Sequence, residues 1–156
     1  MADFEQAIEK TLEWEGGWSD DPNDSGGMTK YGISKNAHPD IDVESLSRDD
    51  AKAIYRADYW YRINGDDILD QQNAEAIFDF AVHSGVSRSI KVAQGIVGAA
   101  TDGIVGPRTL QKLNLTKNFP LLFCVERIRY YTQLAHSRPK DLQFLVGWIR
   151  RALSFI

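Results

Sequence analysis

Apolar residues recur at helical spacing along most of the 156-residue chain. Intervals of three and four residues between apolar positions are typical of helices with one buried face. The pattern predicts about seven or eight helices, and the clearest of them begins at Asn73, continues through Ile77 and Phe78, and ends at Gly85. Residues 28–34 alternate instead and predict a small β-hairpin. We therefore expect one compact, mainly α body.

The first helix is predicted to end at a glutamate. Residues 3–14 follow the helical period, and the two glycines directly after Glu15 favour a helix stop. The helix dipole favours positive charge at this end, so Glu15 gains no local stabilisation as an anion. Trp14 and Trp18 flank it and would lower the local dielectric. Glu15 is therefore a candidate general acid that resists ionising at neutral pH.

An acidic loop rich in turn-forming residues follows this helix. Asp24 lies nine residues after Glu15, and Thr29 lies five residues further on. A carboxylic acid, a carboxylate and a hydroxyl suit an inverting glycosidase, which protonates the leaving oxygen and positions water on the opposite face of the sugar. Asp20 and Asp21 compete with Asp24 as the second carboxylate. The spacing alone leaves that choice open, and a solvated acidic loop remains the simpler interpretation.

Other catalytic patterns are weak in this sequence. The acidic loop offers hard-oxygen ligands, but no EF-hand register fits it. His38, His83 and His136 lack the spacing of zinc ligands, and no phosphate loop or nucleophile elbow is present. The single cysteine, Cys124, lies in an apolar run that predicts a small buried residue. We expect no metal and no cofactor.

Composition and charge favour a globular protein. Hydrophobic residues make up 43% of the chain and charged residues 26%. No apolar run reaches the ~20 residues of a membrane span, and the N-terminus lacks an ordinary signal peptide. Residues 118–156 carry a net charge of +4, whereas residues 1–117 carry −8. A basic C-terminal part would attract an anionic polymer, although a solvated helix face is the simpler interpretation, and no nucleic-acid module is recognisable.

Aromatic residues are more numerous than a small core requires. Tyr59, Trp60 and Tyr61 are consecutive on a predicted helix and cannot all face the core, so at least one should be exposed. Flat aromatic faces are good platforms for sugar rings. Trp18 and Tyr31, together with Tyr59 and Trp60, are therefore candidate sugar-binding residues.

Several motifs along the whole chain resemble those of one family. They are Glu15-Gly16-Gly17-Trp18, Asp21–Gly27, Thr29–Ser34, Tyr59-Trp60, Asp79–Gly85, and Gln94 with Asp102–Leu110. Together they resemble glycoside hydrolase family 108, which comprises N-acetylmuramidases of phage and bacterial origin that are often labelled endolysins. The last motif is similar to the peptidoglycan-binding segment that forms the C-terminal half of these proteins.

The resemblance implies a lysozyme-like, mainly α fold in one domain. Residues 1–85 would form its catalytic half and residues 86–156 its peptidoglycan-binding half, packed as one unit. It also implies cleavage of the β-1,4 bond between N-acetylmuramic acid and N-acetylglucosamine. The family's catalytic glutamate falls on Glu15. Similarity to phage-type lysozymes gives Asp24 the role of water-positioning base, with Thr29, one residue early, assisting it.

Two positions depart from the family's pattern. Met28 stands where a polar residue is expected before the threonine, and His83 stands where an asparagine is usual. Met28 would widen or dry the groove. His83, a further candidate substrate-binding residue, would alter a substrate hydrogen bond or add a pH dependence. Either change would reduce activity, and the alternative function is a wall-binding module without catalysis.

The resemblance also implies partners and a place of action. We expect a monomer that binds peptidoglycan glycan strands, without nucleic-acid binding or membrane insertion. A bacteriolytic prophage lysin of this kind would be made in the cytoplasm. It would reach the wall through holin-type release or a non-standard export route, because no ordinary signal peptide is recognisable.

Overall fold

The computed structural model describes residues 1–15, the backbone of residues 18–19, and residues 29–156. Its α-helices and strands are α1 (Phe4–Glu15), β1 (Trp18–Ser19), β2 (Thr29–Lys30), β3 (Ile33–Ser34), α2 (Arg48–Tyr55), α3 (Gln71–Ser84), α4 (Val86–Val97), α5 (Pro107–Leu115), α6 (Phe119–Ser137) and α7 (Leu145–Leu153). The predicted mainly α fold in one compact body is confirmed. The small β element is an antiparallel sheet in the order β1-β2-β3, one strand larger than the predicted hairpin.

Short helical turns connect the longer helices. Arg56–Trp60 continues α2 as a π-helical turn, in which the Tyr61 amide donates to the carbonyl of Arg56. The 3-10 turns Tyr61–Ile63 and Gly65–Asp67 then lead to α3, and Pro139–Phe144 leads to α7. The π turn shifts the register of the side chains after Tyr55 by one residue.

The core is organised around α3. All residues from Asn73 to Ala81 are buried, as expected for a helix covered on every side. Near the middle of α3, the rings of Phe4, Trp60 and Phe78 pack edge to face, with centroids 5.6–5.9 Å apart. This cluster joins α1 and the π turn to α3.

The sheet is positioned by a two-residue turn. Thr29 pairs with both Ser19 and Ser34. Tyr31 and Gly32 connect β2 to β3 with φ angles of 51° and 76°, the left-handed pair that tight hairpins require. The Tyr55 hydroxyl donates to the Tyr31 carbonyl at 2.9 Å, so the turn is attached to the end of α2.

Replacing Gly65 with alanine should destabilise the fold. A Cβ at this position would overlap ring atoms of the fully buried Trp60, and overpacking of this kind costs about 1–3 kcal/mol. The control is Gly95→Ala in α4, where a Cβ meets nothing within 4 Å and should add up to about 1 kcal/mol of stability. Urea unfolding measures both variants. Equal free energies of unfolding for the two would contradict the packing argument.

Candidate active site

Glu15 is the last residue of α1, and its side chain is 19% exposed. Arg151 of α7 donates from Nη2 to Glu15 Oε1 at 2.6 Å. The other carboxylate oxygen faces the β2–β3 turn, where a Cβ on Gly32 would lie 2.8 Å from it and would overlap the Tyr55 hydroxyl. Gly32 therefore allows the turn to approach the carboxylate closely, and Glu15 lies in a shaped, partly open site.

Arg151 is held by a second carboxylate. Its Nε lies 3.0 Å from both oxygens of Asp79, and its Nη2 lies 2.7 Å from Oδ1. Asp79 is fully buried and also accepts a hydrogen bond from Arg127 Nη2 at 2.8 Å. Glu15, Asp79, Arg127 and Arg151 thus form a charge cluster with two residues of each sign, contributed by α1, α3, α6 and α7.

Aromatic rings surround the most buried arginine. The Arg127 guanidinium lies over the rings of Phe80, Phe155 and Tyr131, at 5.0, 5.7 and 5.8 Å from their centroids. Its Nε and Nη1 have no hydrogen-bond partner within the described part of the chain. The ring faces partly replace such partners, because a desolvated guanidinium is attracted to an aromatic face. Asp79 supplies the compensating charge.

His83 extends the polar network beyond the charge cluster. Its Nδ1 lies 2.7 Å from the Tyr131 hydroxyl, which also accepts a hydrogen bond from Arg127 at 3.1 Å. Burial, reinforced by the charge of Arg151, lowers the pKa of His83 from 6.5 to about 4. The imidazole is therefore neutral at neutral pH, and its observed partner belongs to the protein.

Two family models together match most of the chain. Residues 8–85 match the family model described as glycosyl hydrolase 108, and residues 88–153 match a predicted peptidoglycan domain. The chain belongs to glycosyl hydrolase family 108. The protein is accordingly a glycoside hydrolase that acts on peptidoglycan.

A solved structure supports the assignment to this family. The family 108 hydrolase is similar to SagA of Brucella abortus, with a TM-score of 0.76 and 30% sequence identity, and the match covers 97% of this chain and 94% of that chain. A search of curated proteins finds no match.

The structure contradicts one predicted sugar-binding residue of the hydrolase. Trp60 is fully buried, its ring packs against Phe4 and Phe78, and its Nε1 donates to Asp66 Oδ1 at 2.8 Å. The prediction that Trp60 binds sugar is therefore wrong, because the π turn directs this residue into the core. At least one of the three consecutive aromatic residues was expected to be exposed, and Tyr61 is 54% exposed.

The other predicted residues fall in different parts of the site. Tyr59 is half-buried, with its ring 5.7 Å from that of Tyr55. Burial raises the pKa of Tyr59, the charge of Asp58 raises it further, and so does that of Glu15, which places Tyr59 within electrostatic reach of the candidate acid. Tyr31 lies in the turn beside Glu15, and Thr29 lies on β2.

Some predicted residues fall outside the described part of the chain. The candidate base Asp24 and its competitors Asp20 and Asp21 lie there, and so does Met28. For Trp18 the backbone is described, and it pairs with Lys30 in the sheet.

Sequence reasoning missed the residues that hold Glu15. The local argument considered only the helix dipole and the flanking tryptophans, whereas Arg151 is 136 positions away in the chain. A signal was nevertheless present. Arg151 follows Trp148 at helical spacing and precedes buried Ala152, and Asp79 interrupts the apolar run 76–82. Charged residues on apolar faces are typical of buried ion pairs.

The described residues hold no candidate metal site and no membrane span. They contain no group of three or more His, Cys, Asp or Glu residues that could hold a metal ion. Within the same residues, no helix is both long enough and apolar enough to cross a bilayer. Cys124 is buried, as predicted, and burial raises the pKa of its thiol.

Replacing Asp79 with asparagine should strongly destabilise the protein. The neutral amide would leave Arg127 and Arg151 buried without their shared counter-charge, at a cost of about 3–5 kcal/mol. The control, Glu126→Gln, breaks an exposed ion pair with Arg129 and should cost less than about 1 kcal/mol. Urea denaturation distinguishes the two. A similar small loss for both variants would show that the cluster is not the main link between these helices.

Acid should destabilise the folded protein through His83. The folded-state pKa of about 4 lies below the ordinary histidine value of 6.5, so in this window the unfolded chain binds a proton that the folded chain does not. The free energy of unfolding should therefore fall as the pH is lowered from 6.5 towards 4. In His83→Gln the part of this pH dependence that comes from His83 should disappear, as measured by urea unfolding midpoints between pH 6.5 and pH 4. His136→Gln, at an exposed position, controls for loss of a histidine as such, and an unchanged slope in His83→Gln would contradict the assignment.

Proposed function

We propose that this family 108 hydrolase is a muramidase that cleaves the β-1,4 bond between N-acetylmuramic acid and N-acetylglucosamine, with Glu15 as general acid. The observation that carries the proposal is the position of Glu15. The residue that matches the family's catalytic glutamate ends α1, is partly open to solvent, and is held by a fixed guanidinium beside the β2–β3 turn. A carboxylic acid in such a setting can protonate the leaving oxygen of a glycosidic bond.

The charge cluster holds the Glu15 carboxylate through one of its two oxygens. Asp79 binds Arg151 through three N–O contacts, whereas Glu15 binds it through one, at Oε1. Loss of the charge on Glu15 would therefore not leave Arg151 without a counter-ion. Oε2 does not contact Arg151, and it is the oxygen that we assign to carry the transferred proton.

We assign the role of positioning the attacking water to the loop that follows α1. Asp24 acts as the base that positions water on the opposite face of the sugar, and Thr29 on β2 assists it. An inverting outcome follows from this arrangement, because separate carboxylates then serve the leaving group and the water. Asp20 and Asp21 are the competing choices for the base.

Aromatic and polar side chains next to Glu15 form the proposed sugar groove. Tyr31 belongs to the turn whose Gly32 faces the carboxylate, and the Tyr59 ring packs on Tyr55, which binds the same turn. Trp18 and His83 complete the proposed set. Trp60 is not part of it, since it is fully buried. Tyrosine faces beside a carboxylic acid suit the stacking of sugar rings at a cleavage site.

Residues 1–85 are proposed as the catalytic half and residues 86–156 as the wall-binding half of one unit. The direct contact between Glu15 and Arg151 supports the packing of the two halves as one unit, because each half contributes to the same site. A monomer suffices for such a site. We further assign the protein to a phage-type or prophage lysin, which would reach the wall by holin-type release or non-standard export.

Wall binding without catalysis is the weaker proposal. An ion pair between Glu15 and a basic residue on the outer surface would favour it. The observed pair is shielded instead, with side-chain exposures of 19% for Glu15 and 8% for Arg151.

Glu15→Gln tests the proposal directly. Glutamine can still accept the hydrogen bond from Arg151 but cannot act as the acid, so release of reducing ends from purified peptidoglycan should fall by about 10²–10⁴-fold. Glu13→Gln, at an exposed position on the same helix, is the matched control and should retain activity. Full activity of Glu15→Gln would overturn the assignment.

The identity of the products tests the bond and the stereochemistry. Mass analysis should find N-acetylmuramic acid at the new reducing end, and the first-formed anomer should be inverted. N-acetylglucosamine at that end would exclude a muramidase.

A further inference from the structure

A basic cavity of about 680 Å³ lies where α3 ends and α4 begins. Its polar lining comes from Arg62, Arg88 and Lys91, with the hydroxyl-bearing residues Ser84, Ser87 and Thr101. The lining contains no carboxylate. A cavity with this lining would bind an anionic group that is able to accept several hydrogen bonds.

The three cations of this basic cavity form no ion pair within the described part of the chain, although Lys91 also borders Glu126 and lies next to the Asp102–Gly103 loop. Across the described part of the chain, none of Arg62, Arg88 and Lys91 lies within ion-pair distance of a carboxylate. Arg88 is nevertheless fixed, because its Nη1 donates to the Ser84 carbonyl at 3.0 Å and its guanidinium lies 4.6 Å from the Tyr130 ring centroid. A guanidinium held in place without a counter-ion is ready to receive one.

The start of α4 adds to the positive potential. No side chain caps this helix, its cap residue is Gly85, and its first turn contains no acidic residue. The helix dipole disfavours a cation such as Arg88 in the first turn. Arg88 is held there by its contacts with the Ser84 carbonyl and the Tyr130 ring, so its charge adds to that of the uncapped helix start.

The basic cavity lies close to the proposed sugar groove. Ser84 of the cavity lining directly follows His83 of the proposed groove at the end of α3. Arg62 lies on the 3-10 turn Tyr61–Ile63, which directly follows the π turn that carries Tyr59. The cavity also lies at the junction of the two family matches, which cover residues 8–85 and 88–153.

We propose that this basic cavity binds the carboxylates of a peptide stem on the peptidoglycan strand, next to the cleavage site. The glycan itself carries few charges, whereas the peptides attached to its N-acetylmuramic acid units end in free carboxylates. A muramidase cuts beside such a unit, so a stem always lies near the bond that is cleaved. Arginine binds carboxylates through paired, charge-assisted hydrogen bonds. The position beside the cleavage site rests on the proposed function, whereas recognition of the stem does not.

The test compares strands with and without stems. The variant is Arg62→Gln combined with Lys91→Gln, and Arg88 is kept because it also contacts Tyr130 and Ser84. On intact peptidoglycan its kcat/KM should fall by about tenfold or more, since a lost contact worth about 1.4 kcal/mol corresponds to tenfold. On glycan strands from which an amidase has removed the stems, wild type and variant should be equal. Equal losses on both substrates, or no loss on either, would overturn the proposal.

A matched control separates a specific site from general attraction to the wall. Arg138→Gln combined with Lys140→Gln removes the same charge at two exposed positions of the basic C-terminal part. This control should keep its preference for intact strands. A loss as large as that of the cavity variant would show that net charge alone explains the effect.

Binding without turnover distinguishes the two proposals. The probe is a disaccharide carrying its peptide, titrated by calorimetry into Glu15→Gln protein, with the bare disaccharide and a phosphate-bearing wall polymer as comparisons. Stem-dependent affinity that falls about tenfold or more in the cavity variant supports the basic cavity, even if the protein cleaves a different bond. Undiminished stem binding in that variant, or preference for the phosphate polymer, would overturn it.

Discussion

The buried carboxylate of Asp79 is the contact on which the rest of the site depends. It is fully buried and accepts hydrogen bonds from Arg127 and Arg151, which come from two different C-terminal helices. A carboxylate without these partners would be costly to bury in the middle of α3. Folding of α3 into the core therefore requires that α6 and α7 dock on it. Arg151 then extends the same cluster to Glu15 at the end of α1.

This arrangement couples the two regions that family comparison recognises separately. Glu15, the proposed acid, belongs to the first match, whereas the guanidinium that holds it belongs to the second. The region that matches the predicted peptidoglycan domain thus contributes to the wall of the candidate active site. Three N–O contacts from Asp79 fix Arg151 independently of Glu15. The guanidinium therefore stays in place when the proposed acid gives up its proton.

The proposed sugar groove and the basic cavity meet at the junction of these two regions. Arg62, which borders the basic cavity at the start of α4, lies on the turn directly after the π turn that carries Tyr59. A peptidoglycan strand presents neutral sugars and charged peptides at every repeat. A site with aromatic faces next to the acid and cations a short distance away matches both components of such a polymer.

Local sequence determined the elements of the fold and the identity of the candidate acid. Helical periodicity predicted the buried α3, the run around Cys124 predicted its burial, and the glycines after Glu15 predicted the end of α1, because these features depend on neighbours in the chain. Tertiary structure decided what each side chain meets. A π turn placed Trp60 in the core, and an arginine 136 residues away supplied the charge beside Glu15. Spacing reports which residues share a face, whereas the partner across that face depends on how distant helices pack.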